Sequence, residues 1–459
     1  MRRVCLFILA IGLVVLGLAF HPLPAVAAAG KSYILTVGQW GAKQDAAVFR
    51  SGGTVTFSHG KCGVAVVESD APDFLALALA QNAFTSVAED RIVQWQSPVR
   101  ESDVIEAAVT PGDETFVNLQ WNIKAVEAEG AWAAGFTGLG VRVAVIDGGI
   151  YNTHVDLAGR VDVAASRSFV PGFAYNQDTG TFWHATHVAG IIAANDNGIG
   201  TIGIAPEATI IGVKALHNGS GSFGAIIQAI LYAATPLAEG GAGADIINMS
   251  LGATLPRGGG NTGVGALCGA LNKAVNYAGK YVLVVTSAGN DALDLDHSGS
   301  LIKVPAMSGS AIAVSATGPM GFALGATDFR RPASYTNFGN SLVWLAAPGG
   351  DFALQGDAIC AVPRVPSGFL VNYCWVFDMV LSCSRGAGAS TTSYSWAAGT
   401  SMAAPAVSAV AALVRQKYPG LSVGALKTCL ANTADDEGSN GHDPYFGRGF
   451  VNARRAVTE

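Results

Sequence analysis

The chain of 459 residues is half hydrophobic and only 13% charged, and it carries a formal net charge of −6. This composition predicts a compact globular protein and excludes a disordered one, while the lack of a long basic run argues against nucleic acid as a partner. The length allows one large domain with smaller parts, or two to three domains.

Residues 1–29 have the layout of an export signal. MRR is basic, VCLFILAIGLVVLGLAF is apolar, and the alanines around Ala27 to Ala29 offer small-residue cleavage sites. An uncleaved membrane anchor is the alternative, and Pro22 and Pro24 together with the alanines argue against it. Because no later segment is apolar and long enough to span a bilayer, we expect a secreted mature protein that is not membrane-bound.

Residues 30–96 are predicted to form a small α+β module of the ferredoxin-like type. The pattern begins with YILTV as a strand, a helical stretch near 43–50, and the strands TVTF and GVAVVES. A helical stretch from Pro72 to Gln81 and the strand RIVQW complete it. Residues 97–118 carry Pro, Gly and acidic residues without periodicity, which predicts a linker.

From Trp121 onward, apolar strands alternate with helical segments. The series starts with GVRVAVIDGG, a helical stretch at 184–195 and the strand ATIIGVKAL. This alternation predicts a doubly wound α/β domain over residues 119–459, with a mainly parallel sheet and helices on both faces. Residues 351–395 interrupt it with three cysteines and a Ser/Gly-rich tail, and we interpret them as an inserted surface loop. GTSMAAPAVSAVAALVRQKYP then predicts a long helix.

Cysteine usage predicts a local disulfide bond. Five cysteines follow the predicted module, namely Cys268, Cys360, Cys374, Cys383 and Cys429. Three of them crowd residues 360–383, so we expect a bridge there, while the pairing stays open and the odd number leaves a thiol over. Their spacing matches no zinc pattern.

Polar residues end three predicted strands, at the sheet edge where open α/β folds bind ligands. These are Asp147, Ser250 and Asn290, and each is a weak signal alone because a strand-end Asp also opens turns. In GTSMAAP, Ser401 stands at a helix start, where backbone N–H groups face negative charge, although a capping serine has the same local pattern. A serine nucleophile needs a base that a carboxylate orients, and FWHATHVAG offers His184 as that base.

These motifs resemble those of the subtilases, the subtilisin-like serine endopeptidases, and they stand in the same chain order of Asp, His and Ser. VAVIDGGI resembles the aspartate motif, WHATHVAG the histidine motif, and GTSMAAP the serine motif. INMSLG and TSAGN match the substrate-wall and oxyanion segments. The resemblance implies that Asp147 orients His184, that His184 takes the proton of Ser401, and that Asn290 and the Ser401 N–H hold the oxyanion.

The resemblance also implies how substrates and the N-terminal module are handled. Two segments would sandwich an extended peptide, namely Gly219, Ser220, Gly221 and Ser250, Leu251, Gly252. Residues 30–96 are similar to an inhibitor-like propeptide, which would assist folding and inhibit after self-cleavage within about residues 97–120. We expect protein or peptide substrates, a monomer, and no cofactor for catalysis. A structural calcium ion is the candidate metal, with Asp156 and Asn197 as side-chain ligands.

Three positions depart from the family pattern. Gly148 replaces a usual Ser or Thr, Ala185 a usual Gly, and Ala406 a frequent His. They motivate one alternative, a catalytically silent binding protein. A second alternative is a metallohydrolase using His184 and His187, which lacks the expected Glu between its histidines and an evident third ligand. The acidic residues after Asn290 (Asp291, Asp294 and Asp296) are interpreted as a solvated loop, with the rim of a specificity pocket as the alternative.

Overall fold

A computed structural model describes residues 30–96, 100–101, 105–106, 115–258, 260–365 and 367–459. The predicted export signal lies outside these residues. Within them, no helix combines the length and apolar character needed to cross a bilayer.

The N-terminal module has the predicted ferredoxin-like topology. Its antiparallel sheet has the strand order β2-β3-β1-β4, and it alternates with two helices in sequence. The elements are β1 (Lys31–Thr36), α1 (Ala42–Arg50), β2 (Thr54–His59), β3 (Val64–Ser69), α2 (Phe74–Ala80) and β4 (Ser86–Glu89). Strand alternation gives the sheet two apolar faces, since Tyr33 and Leu35 pack with Phe74 of α2, whereas Ile34 packs against the rest of the protein.

Three short strands follow the module, namely β5 (Ile92–Gln94), β6 (Arg100–Glu101) and β7 (Ile105–Glu106). The predicted role of RIVQW as the last strand of the module is wrong, because residues 86–89 fill that place beside β1. Both segments are short and mix apolar with polar residues, so periodicity alone does not tell which one completes the sheet.

The remaining residues form the large α/β domain. Its strands are β8 (Arg142–Asp147), β9 (Arg167–Ser168), β10 (Thr209–Lys214), β11 (Ser220–Ser222), β12 (Ile246–Met249), β13 (Ala253–Pro256), β14 (Leu283–Ser287), β15 (Leu301–Val304), β16 (Ala311–Thr317), β17 (Leu345–Pro348), β18 (Ile359–Pro363), β19 (Phe369–Tyr373), β20 (Val380–Ser384) and β21 (Ser393–Ala398). Its helices are α3 (Trp121–Ala125), α4 (Ala128–Ala133), α5 (His184–Ala193), α6 (Phe223–Ala234), α7 (Val264–Ala278), α8 (Thr400–Lys417), α9 (Val423–Asn432) and α10 (Ala453–Thr458).

The central sheet is parallel and doubly wound, as predicted. Seven strands run in the order β17-β16-β14-β12-β8-β10-β9, and each neighbouring pair is parallel. Alternate residues of β8 face opposite layers: Val143 and Val145 pack in the core with α5 and α8, while Ala144 and Ile146 pack in the core with α6 and α7. Burial on both faces explains why these strands read as continuous apolar runs.

Residues 351–395 are not simply an inserted surface loop. A disulfide bond joins Cys360 to Cys374 across the β18–β19 hairpin. Strands β20 and β21, however, are antiparallel partners whose residues are all buried. The serine-rich composition resembled that of a loop, but buried serines can be satisfied inside the protein. Ser382 donates to the His187 carbonyl at 2.9 Å, and Ser384 donates to the Thr181 carbonyl at 3.0 Å.

Candidate active site

Asp147 and His184 meet at the carboxyl edge of the sheet, where β8 ends and α5 begins. Nδ1 of His184 lies 2.9 Å from Asp147 Oδ2, and the carboxylate is fully buried. Burial lowers the pKa of His184, but the charge and hydrogen bond of Asp147 outweigh it, so this pKa lies above its usual range. Nε2 of His184 has no hydrogen-bond partner among the described residues, which leaves it available to accept a proton.

Ser401 lies in the first turn of α8, where polar residues of the neighbouring sheet hold it. Its hydroxyl donates to the Ser250 carbonyl at 3.2 Å, and Ser250 Oγ donates back to the Ser401 carbonyl at 2.8 Å. Asn248, at the end of β12, donates to Ser250 Oγ at 3.0 Å and accepts from Ser408 of α8 at 2.9 Å. This buried network fixes the helix start against the strand end.

The amide of Asn290 is oriented by a residue that the sequence analysis missed. Asn290 Oδ1 accepts from the backbone N–H of Thr400 at 2.8 Å and from its hydroxyl at 2.7 Å. Thr400 Oγ1 in turn accepts from the N–H of Gly289 at 3.0 Å. Since the amide oxygen is engaged, the NH₂ group of Asn290 is the part of the amide that is left to donate to a ligand. The sequence offered one signal for this role of Thr400, namely its position inside GTSMAAP, next to Ser401.

Both predicted substrate segments are in contact with the chain's own residues 93–95. Val93 pairs with Gly221 in the antiparallel β5–β11 ladder, and the N–H of Trp95 donates to Gly219 O at 2.9 Å. From the other side, the N–H of Gly252 donates to Trp95 O at 2.7 Å. The Trp95 side chain is fully buried, and its Nε1 donates to Gly221 O at 2.8 Å.

The next residue, Gln96, contacts the carboxylate of Asp147. Its Nε2 donates to Asp147 Oδ1 at 2.7 Å. A cleft of about 440 Å³ lies here, with Gln96, Glu101 and His184 in its lining. Nothing in the local pattern of RIVQWQ signals this contact.

The second histidine of FWHATHVAG has a separate environment. His187 is fully buried, and its Nε2 donates to the Ser395 carbonyl at 3.0 Å. Burial lowers the pKa of His187 to about 3, so the ring is neutral at ordinary pH. Among the described residues, the group of three potential metal ligands that lie close together contains neither His184 nor His187, so the predicted metal clamp lacks a third ligand.

The departures at Gly148, Ala185 and Ala406 are accommodated by packing. A Cβ at Gly148 would collide with the carboxylate of Asp178, which accepts from the N–H of Gly149 at 3.0 Å. Asp178 therefore takes the space that a serine or threonine side chain would use. Ala185 and Ala406 are buried in the main core.

The residues proposed for calcium are arranged as donors and acceptors for each other. Asp156 Oδ2 accepts from the Tyr394 hydroxyl at 2.8 Å and the Thr201 N–H at 3.0 Å, while Oδ1 faces Nδ2 of Asn197 at 3.3 Å. A Cβ at Gly200 would collide with the Tyr394 ring, so the tyrosine fills this space. Burial raises the pKa of Asp156 to about 7. Calcium binds oxygen acceptors, and here N–H and O–H donors face Asp156, so the residues as arranged do not fit the ion.

The three acidic residues after Asn290 form local contacts. Asp291 binds the ammonium of Lys303 at 3.2 Å, and Asp294 binds His297 Nδ1 at 2.7 Å. Asp296 accepts from two backbone N–H groups. Their charges are therefore partly compensated within the loop and its neighbours.

Comparison with known proteins decides the family. A family model described as "Subtilase family" matches residues 138–449. The chain belongs to the subtilase family. Subtilisin Savinase of Lederbergia lenta is 36% identical over 74% of this chain and 99% of its own length. Minor extracellular protease Epr of Bacillus subtilis is 32% identical over 76% of this chain, and the match spans only 44% of Epr.

A solved structure extends the likeness of fold to the N-terminal part. The epidermin leader peptide processing serine protease of Staphylococcus aureus aligns with a TM-score of 0.70 at 20% identity, over 94% of this chain and 99% of that one. At this identity the match bears on the fold. From its family, this subtilase is a serine endopeptidase that acts on proteins or peptides and needs no cofactor for catalysis.

Proposed function

We propose that this subtilase is a secreted, self-processing zymogen that cleaves peptide bonds through Asp147, His184 and Ser401. The observation that carries the proposal is the 2.9 Å contact between Asp147 and His184. Nε2 of this histidine has no hydrogen-bond partner among the described residues, and His184 lines the same cleft as Gln94 and Gln96. Secretion is supported by the layout of residues 1–29 and by the extracellular description of Epr.

In the proposed reaction, His184 acts first as base and then as acid. Ser401 Oγ bonds to the scissile carbonyl carbon while its proton passes to Nε2 of His184. The same proton then leaves on the departing amine, and water hydrolyses the acyl-enzyme by the reverse roles. The hydroxyl of Ser401 now donates to the Ser250 carbonyl, so a substrate N–H that takes this carbonyl would release the hydroxyl toward His184.

The developing negative charge would be met by two donors, the NH₂ of Asn290 and the backbone N–H of Ser401. Thr400 holds the Asn290 amide in place before the substrate arrives, so the donor is preorganised. Peptide would lie between Gly219–Gly221 and Ser250–Gly252, gripped by main-chain hydrogen bonds as an added strand.

Residues 30–96 act in this proposal as the folding aid and inhibitor of the same site. Residues 93–95 already use the main-chain groups that a substrate would use, and the Trp95 ring lies against Phe223 with ring centres 4.8 Å apart. Ile34 and Ala88 of the module sheet share a core with α6 and α7, which anchors the module to the enzyme. Cleavage within about residues 97–120 would then produce an inhibited complex that becomes active as the module is degraded.

The experiment is to compare secretion products of wild type, Ser401→Ala and Ser439→Ala. Ser439 is an exposed serine far along the chain and serves as the matched control. We expect Ser401→Ala to accumulate as uncut precursor and to resist a serine-directed active-site probe, while the control is processed and labelled. Normal processing of Ser401→Ala would refute self-cleavage, and a wild type that no serine probe labels would refute the triad.

A further inference from the structure

Lys303 is a buried ammonium group that the proposed mechanism does not use. The residue is 2% exposed, and its Nζ donates to Asp291 Oδ2 at 3.2 Å and to Thr254 Oγ1 at 3.1 Å. Burial lowers the pKa of Lys303, even though Asp291 opposes this effect. A buried charge is costly, and one that lies beside a catalytic centre is a candidate functional group.

The fold places Lys303 between the strand that follows Ser250–Gly252 and the loop that carries Asn290. Strand β13 continues from Ser250–Gly252 and pairs with β15, with Thr254 opposite Lys303. Asp291, the other partner of the ammonium, directly follows Asn290. The lysine therefore connects the strand that leaves the substrate segment with the loop that carries the oxyanion donor.

Two glycines make room for the lysine stem. A Cβ at Gly289 would lie 2.5 Å from Lys303 Cε and 2.8 Å from Nζ, and a Cβ at Gly252 would lie 3.2 Å from Cε. Gly289 also has a φ of 103°, a conformation that strains other residues. The end of the lysine side chain thus lies against both backbones, with no side chain between.

Substrate geometry directs one side chain toward this lysine. The carbonyl of the residue to be cleaved would be held at Asn290 and Ser401, while its backbone runs beside Ser250–Gly252. Its side chain must then enter the space between residues 250–252 and residues 289–291, which we call the specificity pocket. The end of the Lys303 side chain lies close to Gly252 and Gly289, so it borders this specificity pocket.

The chemistry of that end favours an anionic oxygen acceptor. An ammonium has three N–H donors, and the hydrogen bonds within the described residues use two of them. A carboxylate would accept the third in a charge-assisted hydrogen bond, whereas a lysine or arginine would meet a like charge and a large apolar group would cover the ammonium. Asp291 also accepts from Asn337 at 3.1 Å, so it keeps a donor if Lys303 turns to the substrate.

We propose that Lys303 is a specificity-determining residue that selects glutamate or aspartate as the residue supplying the scissile carbonyl. The inference rests on the proposed function, because it assigns a substrate class to the same site.

The test uses the processed enzyme obtained from the full-length precursor. It is given four peptides that carry Glu, Gln, Leu or Lys at the residue that supplies the scissile carbonyl and are otherwise identical. Three enzymes are compared: wild type, Lys303→Met, which keeps an apolar stem without charge, and Lys280→Met as an exposed-lysine control. We expect wild type and the control to cleave the Glu peptide with at least about tenfold higher kcat/KM than the Leu peptide. Lys303→Met should remove this preference, chiefly by lowering kcat/KM for Glu.

Four outcomes would overturn the inference. If the wild type prefers the Leu or the Lys peptide, the proposed selection of an acidic residue is wrong. If Lys303→Met keeps an unchanged preference for Glu, other residues determine that preference. If Lys303→Met does not fold, the wild-type series with Glu against the isosteric Gln still decides, since equal cleavage excludes selection for the anion. An enzyme that hydrolyses casein but shows no such preference refutes this inference alone, whereas no hydrolysis of any substrate refutes the proposed function as well.

Discussion

Gln96 donates a 2.7 Å hydrogen bond to Asp147 Oδ1, an oxygen that also lies 3.1 Å from His184 Nδ1. The residue that follows the buried Trp95 therefore touches the carboxylate that orients the proposed base. The N-terminal segment thus contacts both the proposed peptide-binding backbone and the proposed triad of this subtilase.

Removing this contact should weaken inhibition by the N-terminal module. We expect Gln96→Ala to shorten the lag between processing and full peptidase activity, because a hydrogen bond to a charged group contributes roughly 1.5–3 kcal/mol, or about tenfold or more in affinity. Gln44→Ala on α1, the helix on the other side of the module sheet, is the control. An unchanged lag would show that β5 and Trp95 hold the segment by themselves.

The pH profile of the processed enzyme should report on His184. The neutral imidazole is the proposed base, so kcat/KM should rise with pH through the pKa of this histidine. Since Asp147 raises that pKa above its ordinary value of 6.5, the acid limb should have its midpoint above pH 6.5. A midpoint below that value, measured on a peptide without titrating groups, would contradict the charge stabilisation by Asp147.

Thr400 should affect the rate of hydrolysis because it holds the Asn290 amide in position. Thr400→Val keeps the shape but removes the hydroxyl that donates to Asn290 Oδ1, so the amide loses one of its two anchors. We expect kcat to fall about tenfold with little change in KM, because only the transition state carries the oxyanion. Asn290→Ala should lower kcat further, because loss of the equivalent donor in subtilisin raises the reaction barrier by roughly 3–4 kcal/mol. A loss confined to KM would place Thr400 in substrate binding instead.

The hydroxyl of Tyr394 should stabilise the folded protein by donating a hydrogen bond to the buried carboxylate of Asp156, with no calcium ion required. Tyr394→Phe removes one donor to the carboxylate and should lower the free energy of unfolding by about 1–3 kcal/mol, whereas Tyr281→Phe at an exposed site should have little effect. Denaturant unfolding of each protein measures this difference.

The same arrangement predicts that calcium does not act at Asp156. Any shift of Tm between EDTA and excess calcium should be equal in wild type and Asp156→Asn, because the carboxylate is engaged by donors in the protein. A calcium-dependent rise in Tm that disappears in Asp156→Asn would show that the ion displaces Tyr394.

Much of the fold was predictable because its signals are local. The buried strand ending at Asp147 reads as a continuous apolar run, and GTSMAAP marks both the start of α8 and its serine. Strand β5 and the β20–β21 pair were misinterpreted because their short segments, RIVQW and the serine-rich residues 380–398, lack a periodicity that distinguishes buried from exposed positions.

By itself, the sequence determined the family, the order of the motifs that contain Asp147, His184 and Ser401, and the alternation of strands and helices, since each depends on short motifs and residue periodicity. Only the tertiary structure decided that Gln96 binds Asp147, that Tyr394 faces Asp156 and that Lys303 lies beside Gly289. Tyr394 and Asp156 are 238 positions apart in the chain. Such contacts arise where strands, loops and helices converge in space, and the residues next to either partner carry no pattern that specifies the other.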